Sequence, residues 1–341
     1  MSLKRAGELE LIRRIRAATV VGAGGAGVRT GIGDDTAVLQ FTPGAAVLAT
    51  TDLLLERVHF RRPQASARDI GWKAAAVNLS DIAAMGGVPR FALVALALPP
   101  STELDDVEAF YAGMQEVARP HGVAIVGGDS SSSPYGWMVN VTVLGEHTGT
   151  PRLRSDARPG DLVAVTGSLG ASAAGLAVLA AGRDDARAAG LGPRSETEVL
   201  RAHHRPIPRV AEGRWLGAAE GVHAMIDCSD GIATDLAHVC RESGVAARVE
   251  LARLPVPAAA EEVARVLGAD ARRWGAAGGE DYELLITCEP GAAEALAQGL
   301  AAATGTALTV IGRIERGAGV AFLDAAGEPV SVGTGWEHFV G

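Results

Sequence analysis

The sequence predicts an α+β protein of two domains, and three observations lead there. The chain has 341 residues, more than one hydrophobic core ordinarily organises. Short β-branched or apolar runs end repeatedly in glycine or acidic turns, the pattern of buried strands. Between them lie longer stretches of helical length, which completes the mixture expected when helices cover one face of a sheet.

Taken in order, the chain opens with Lys4, Arg5, Arg13, Arg14 and Arg16 interleaved with Leu9, Leu11, Ile12 and Ile15. That is a short amphipathic helix, without the apolar segment or cleavage site of a secretory signal. Ala45 to Ala49 runs into Thr50-Thr51-Asp52, Val123 to Val126 into Gly127-Gly128-Asp129, Asp161 to Val165 into Thr166-Gly167-Ser168, and His223 to Ile226 into Asp227-Cys228-Ser229-Asp230-Gly231. Read as strands, these runs put the polar groups at strand ends. Ile70 to Met85, Glu103 to Arg119, Ser172 to Ala181 and Ala258 to Leu267 read as helices. Gly145 to Gly160 is rich in Gly, Thr, Pro and Arg and is the expected domain boundary, dividing the chain into 1–148 and 149–341. Gly182 to Glu198 reads as a surface loop.

Composition narrows the function. Hydrophobic residues make up 48% and charged residues 21%, the balance of a soluble globular chain. The longest apolar stretch, Phe91 to Leu98, is far short of a membrane span, so a cytoplasmic location is expected. A formal charge of −9 argues against nucleic acid as a partner. Cys228, Cys240 and Cys288 are too scattered for a disulfide framework or a zinc site. Lys4 and Lys73 are the sole lysines. An anionic ligand must therefore be held by arginine, backbone N–H groups or metal ions.

Val21-Gly22-Ala23-Gly24-Gly25-Ala26-Gly27 matches the glycine pattern of a dinucleotide site. That site needs a strand before the glycines and a helix after them. Here a helical segment precedes them and Gly31-Ile32-Gly33-Asp34-Asp35 follows, which does not start a helix and sets two carboxylates where phosphates would lie. Val28 and Arg29 also stand where a P-loop requires Lys-Ser/Thr. A turn-forming loop is the better reading.

The informative pattern is acidic. Asp34, Asp35, Asp52, Asp129, Asp227, Asp230, Glu280 and Asp281 each sit beside small residues that let a backbone approach a ligand. Any one of them alone reads as a solvated cap. Asp81 differs, because the helix around it is apolar almost all round, and a buried carboxylate needs a partner or a metal. Asn78, three residues earlier, offers a local hydrogen-bond pair as the bland alternative. Clustered carboxylates repel unless cations neutralise them, and hard oxygen ligands select magnesium or calcium. Magnesium shared with substrate phosphates then suits a chain without a phosphate-binding lysine. The residues alone point to a multi-metal phosphate site for a nucleotide.

Six motifs stand in a characteristic order: Gly31-Ile32-Gly33-Asp34-Asp35-Thr36-Ala37, Thr51-Asp52, Val77-Asn78-Leu79-Ser80-Asp81-Ile82-Ala83-Ala84-Met85-Gly86, Gly127-Gly128-Asp129, Asp227-Cys228-Ser229-Asp230-Gly231 and Gly278-Gly279-Glu280-Asp281-Tyr282-Glu283-Leu284. Together they resemble the thiamine-monophosphate kinase family, within the superfamily that includes aminoimidazole ribonucleotide synthetase. The resemblance runs from about Glu8 to Phe339. It implies two α/β domains of that type, with N-terminal sheets joining in a homodimer, and ATP and thiamine monophosphate as substrates. It implies magnesium, several ions, on Asp35, Thr50, Thr51, Asp52, Asp81, Asp129, Asp227 and Asp230. By the same resemblance Gly128, Asp129, Arg154 and Ser229 contact ATP, while His59, Glu280 and Trp336 hold thiamine monophosphate. The N-terminal domain would bind metal, ATP and its partner, and the C-terminal domain would complete the site. Arg154 also suits the demand for a phosphate partner that is not lysine; its bland reading is a solvated loop charge. His59, beside Phe60, reads equally well as a structural histidine. Cys228 replaces an aliphatic residue and Trp336 a tyrosine common in the family.

The acceptor implied is a phosphate monoester, largely dianionic above its second pKa of about 6, so its oxygen needs no catalytic base. That accords with a sequence in which no Ser-His or Cys-His pair stands out. Direct in-line transfer held by metal ligands and Arg154 follows. The alternatives are a cyclo-ligase of the same superfamily and a regulator that binds MgATP without turnover. A selenide-activating kinase would want a cysteine in the Gly22 to Gly33 loop, and a hydrogenase-maturation protein a C-terminal cysteine; neither is present.

Overall fold

The computed structural model describes residues 1–19 and 27–335, and the chain divides into two compact units. Met1–Ile82 and Gly87–Thr150 form the first; Ala83–Gly86 and Pro151–Gly341 form the second.

In the first unit α1 (Leu3–Ala18) is interrupted at Gly7, whose φ of 74° and ψ of 169° break the helical run. β1 (Val28–Thr30) and β2 (Val38–Leu39) make a small antiparallel ribbon. The main sheet has the order β3-β6-β4-β5, with β3 (Ala46–Leu55), β4 (Val88–Leu98), β5 (Ala124–Ser132) and β6 (Met138–His147). β4 and β5 are parallel and joined through α3 (Leu104–Ala118); the other pairs are antiparallel. Alternation along the strands buries Val94, Leu96 and Leu98 of β4 together with Val139, Val141 and Val143 of β6. On the facing helix, Leu104, Val107, Phe110, Tyr111, Met114 and Val117 recur at helical spacing and are all buried. α2 (Ala67–Ala84) is buried along nearly its whole length. It crosses α3 where Gly71 and Gly113 meet backbone: a Cβ at Gly71 would stand 1.9 Å from the Phe110 carbonyl oxygen, and one at Gly113 1.8 Å from that of Arg68.

The second unit is built on a seven-stranded sheet of order β13-β12-β9-β11-β7-β10-β8. Its strands are β7 (Leu162–Thr166), β8 (Val222–Asp227), β9 (Ala246–Glu250), β10 (Leu284–Cys288), β11 (Leu308–Glu315), β12 (Gly319–Leu323) and β13 (Pro329–Val330). Among the described strands of this sheet, β9 and β12 pair in parallel and the other neighbours are antiparallel. α8 (Ile232–Ser243) buries Ile232, Leu236, Val239 and Cys240 against Val163, Val165, Ile226, Leu285 and Ile311 of this sheet. A second apolar cluster joins α4 (Ala171–Ala181), α5 (Arg183–Ala188), α6 (Pro193–His204) and α9 (Ala258–Leu267) through Val178, Ala186, Val199 and Val263. α7 (Val210–Ala218) packs on α11 (Ala293–Thr304), and α10 (Ala271–Ala277) leads back toward β10.

Two expectations are corrected. Thr50-Thr51-Asp52 and Gly127-Gly128-Asp129 lie inside β3 and β5, not beyond their ends, because pairing with β6 and β4 continues through the polar residues. Gly182 to Glu198 is mostly helical, not a loop. Pro193 sits in the first turn of α6, and buried Glu196 accepts from Arg183 and Arg187, both at 2.6 Å. Those long-range bonds turn a polar stretch into a packed helix pair.

Candidate active site

Each unit carries its own set of candidate residues. In the first, strand alternation splits the consecutive trio on β3. The Thr50 hydroxyl donates to Asp81 Oδ2 on α2. Thr51 turns the other way: its hydroxyl lies 3.1 Å from that of Thr142 and 3.2 Å from the Val141 carbonyl oxygen, and Asn140 Nδ2 donates to it at 3.0 Å. Asp52 is on the Thr50 face by alternation, and its carbonyl oxygen accepts from Asn140 Nδ2 at 3.1 Å. Asp81 is half-exposed, not buried as the apolar helix around it suggests, since it emerges at the last turn of α2, beside the sheet. Asp129 projects exposed from β5 opposite Ala95, next to Gly128. Asp35 is exposed, with its N–H donating to Asp34 Oδ1 at 2.9 Å. His59 closes a tight turn after β3: Nδ1 accepts the Leu55 N–H at 3.0 Å, so the neutral ring carries its proton on Nε2.

In the second unit β8 delivers Asp227, 3% exposed, at its C-terminal end. The turn 228–230 is zipped to the segment before β10: Cys228 N–H donates to the Glu283 carbonyl at 2.8 Å, Tyr282 N–H to that of Cys228 at 2.9 Å, and Glu280 N–H to that of Ser229 at 2.7 Å. The register holds Glu280 and Tyr282 at φ of 65° and 53°. Such left-handed conformations cost non-glycine residues roughly 1–3 kcal/mol and gather where a site demands them. Asp235 on α8 accepts from the N–H groups of Asp230 (3.3 Å) and Gly231 (3.0 Å), fixing the turn. Burial pushes the Asp235 carboxyl well up, and Asp227 and Asp230 add to this by repulsion. Cys228 packs in the apolar cluster under α8, and burial raises its thiol well above the usual range. It serves as an apolar filler, the role of the aliphatic residue it replaces.

Three acids of the Gly278–Leu284 motif are held in three ways. Asp281 accepts the N–H groups of Gly170 (2.7 Å) and Ser172 (3.2 Å), capping α4, which has no cap of its own. Glu283, 4% exposed, takes Arg209 Nε and Nη2 at 2.7 and 2.6 Å, and the Thr166 hydroxyl at 2.7 Å. Glu280 Oε2 stands 3.3 Å from His203 Nδ1. Glu283, Arg209 and His203 were not among the candidates, and Asp281 was one of the acidic residues but carried no ligand assignment. Asp281 and Glu283 lay inside the motif, flanked by residues that read as buried; their partners come from segments far away in sequence.

The structure brings Asp227, Ser229, Asp230 and Glu280 together. Arg154 instead lies in a short 3-10 turn whose carbonyl oxygen accepts from Ser243, the last residue of α8. A helix of this length spans about 18 Å, so the Arg154 backbone is a helix length from Asp230. An open cavity of about 600 Å³ lies along α8, lined by Asp230 in the preceding turn, by Thr234, His238 and Arg241 of α8, and by Phe322 and Val332. Trp336 lies outside the described residues. Among the described residues no three His, Cys, Asp or Glu side chains form a ready-made metal cage, and no helix is long and apolar enough to cross a membrane.

Residues 33–147 match the family model for the N-terminal domain of AIR synthase related proteins, and 158–324 match that for their C-terminal domain. The thiamine-monophosphate kinase of Bacillus subtilis (strain 168) is 37% identical over 297 residues, covering 86% of this chain and 87% of the relative. The solved thiamine-monophosphate kinase from Stenotrophomonas maltophilia shares 37% identity at a TM-score of 0.81, covering 94% of this chain and 96% of that one. AaThiL, solved in complex with AMPPCP and TMP, shares 32% identity at a TM-score of 0.76, with 99% of both chains covered. The chain, two α+β domains of the AIR synthase related type, therefore belongs to the thiamine-monophosphate kinase family.

Proposed function

We propose that this protein transfers the γ-phosphate of ATP to thiamine monophosphate, giving thiamine diphosphate and ADP. The observation that carries this reading, in a chain of this family, is that the candidate ligands of each unit offer oxygen alone: the Thr50–Asp81 pair with Asp52, Asp129 and Asp35 in the first unit, and Asp227 and Asp230 in the second. Hard oxygen donors fit magnesium, which keeps waters and is shared with phosphate oxygens in place of a closed cage. The repulsion that Asp227 and Asp230 exert on Asp235 is what a divalent cation offsets. When bound, magnesium supplies the charge that lets two polyanions approach. Thr51, whose side chain faces away from Asp81, reaches this site through its main chain.

Gly128, Asp129, Ser229 and Arg154 are assigned to ATP. His59, Glu280 and Trp336 are assigned to thiamine monophosphate, the first donating from Nε2. The acceptor's phosphate is itself the nucleophile, so these residues orient and desolvate without removing a proton, and transfer is direct and in line. The open face of the four-stranded sheet, where Val47, Leu53 and Met138 are 53%, 46% and 43% exposed, is assigned to a second copy of the chain. A cytoplasmic location accompanies this reading.

The test is a product assay with purified protein, ATP, magnesium chloride and thiamine monophosphate, resolved by chromatography and repeated with EDTA. Thiamine diphosphate and ADP in equal amounts, only with metal, is the expected result. ATP bound without product overturns the proposal and leaves a MgATP-binding regulator.

A further inference from the structure

The contact between His203 and Glu280 has a structural origin that the candidate residues do not explain. α6 lies against α4 because Gly175 lacks a side chain: a Cβ there would stand 2.3 Å from the Val199 carbonyl oxygen and 2.9 Å from the His203 Cβ. That close approach sets His203, 6% exposed, over the start of α4. Its Nδ1 lies 3.1 Å from the Ser172 hydroxyl and 3.3 Å from Glu280 Oε2. The Ser172 N–H donates to Asp281, so one residue of α4 touches both the acid beside Glu280 and the ring that faces Glu280.

This is a Ser–His–Glu contact that the sequence did not suggest, but it is not a nucleophilic triad. In a triad the acid and the hydroxyl engage opposite ring nitrogens, so that a proton passes through the ring. Here both approach Nδ1, and Ser172 is 1% exposed. What the arrangement does is restrain a carboxylate whose own backbone is held at positive φ. A preorganised carboxylate loses less rotamer freedom on binding than a mobile one.

We propose that His203, supported by Ser172, is a positioning residue that holds the Glu280 carboxylate in the orientation that receives the acceptor substrate. The inference rests on the assignment of Glu280 to thiamine monophosphate. His203 determines acceptor affinity through Glu280 and does not act on ATP.

The experiment compares steady-state kinetics of the full-length enzyme with His203→Leu, His203→Asn, Glu280→Ala and the His203→Leu/Glu280→Ala double variant, alongside melting temperatures. Loss of the 3.3 Å contact with Glu280 is expected to raise KM for thiamine monophosphate roughly ten-fold in His203→Leu, leaving KM for ATP unchanged. His203→Asn, whose amide nitrogen falls near the Nδ1 position, restores most of the affinity. In the double variant the histidine change adds nothing to the effect of Glu280→Ala. Additive effects, or equal acceptor KM values in the Leu and Asn variants, overturn the positioning role. If Glu280→Ala itself leaves the acceptor KM unchanged, the Glu280 assignment fails and the inference with it.

Discussion

Removing Arg209 tests how the acidic loop of the second unit is held. Arg209→Met deletes both bonds to Glu283, at 2.7 and 2.6 Å, and the 3.5 Å approach to Glu212 Oε1. Glu212 retains the Thr306 hydroxyl at 2.5 Å. Glu283 retains the Thr166 hydroxyl and the Ser168 N–H, but its charge is left buried without a counter-ion. Stranding one partner of a buried pair costs about 3–5 kcal/mol. The side chains of Arg209 and Glu283 are 19% and 5% exposed, which places this pair toward the lower end, about 3 kcal/mol. For a domain of this size that lowers the melting temperature by roughly 6–12 °C. The pH dependence separates the charge effect from lost packing. Burial raises the Glu283 carboxyl even with Arg209 present, and without the guanidinium it rises further. A carboxyl with a raised folded pKa favours the fold at low pH and loses that contribution as pH rises. The deficit of the Met variant is therefore expected to widen with rising pH in scanning calorimetry. Glu283→Gln in the same background should recover part of the loss. A cost below about 1 kcal/mol, or a deficit independent of pH, refutes the reasoning and reduces the pair to a packing contact.

Three further outcomes follow from the same geometry. Burial pushes the Asp281 carboxyl up to about 7, above its unfolded value near 4, so it favours folding at low pH and this is lost as pH rises through about 7. Asp281→Asn should flatten the decline in melting temperature across that window; an unaltered profile would show that the carboxyl is not held neutral. Gly113→Ala puts a Cβ 1.8 Å from the Arg68 carbonyl oxygen, which must force α2 and α3 apart. Urea denaturation should register a loss of about 2 kcal/mol, and an unshifted midpoint would mean that the helices separate freely. Asp81→Asn should lose most turnover while its circular dichroism stays that of the parent; near-normal kcat removes Asp81 from the metal set.

What the sequence determined by itself is what depends on local pattern and composition. Apolar runs and helical periodicity located β7, β8, α2, α3, α4 and α9, because burial leaves a period in the chain. Two lysines and a charge of −9 settled that an anion must be met by metal, arginine or backbone, and six ordered motifs carried the family resemblance. The tertiary structure decided the partnerships. Thr50 and Thr51 are neighbours in sequence yet face opposite sides of β3, and only pairing with β6 says which one meets Asp81. Glu283 looks buried from its neighbours, but the cation that satisfies it lies 74 residues earlier, and nothing local selects Arg209 over the other arginines. Polar stretches such as Gly182 to Glu198 became helices because Glu196 found Arg183 and Arg187. A hydrogen bond depends on distance and direction between side chains, and those exist only once the backbone has placed both ends.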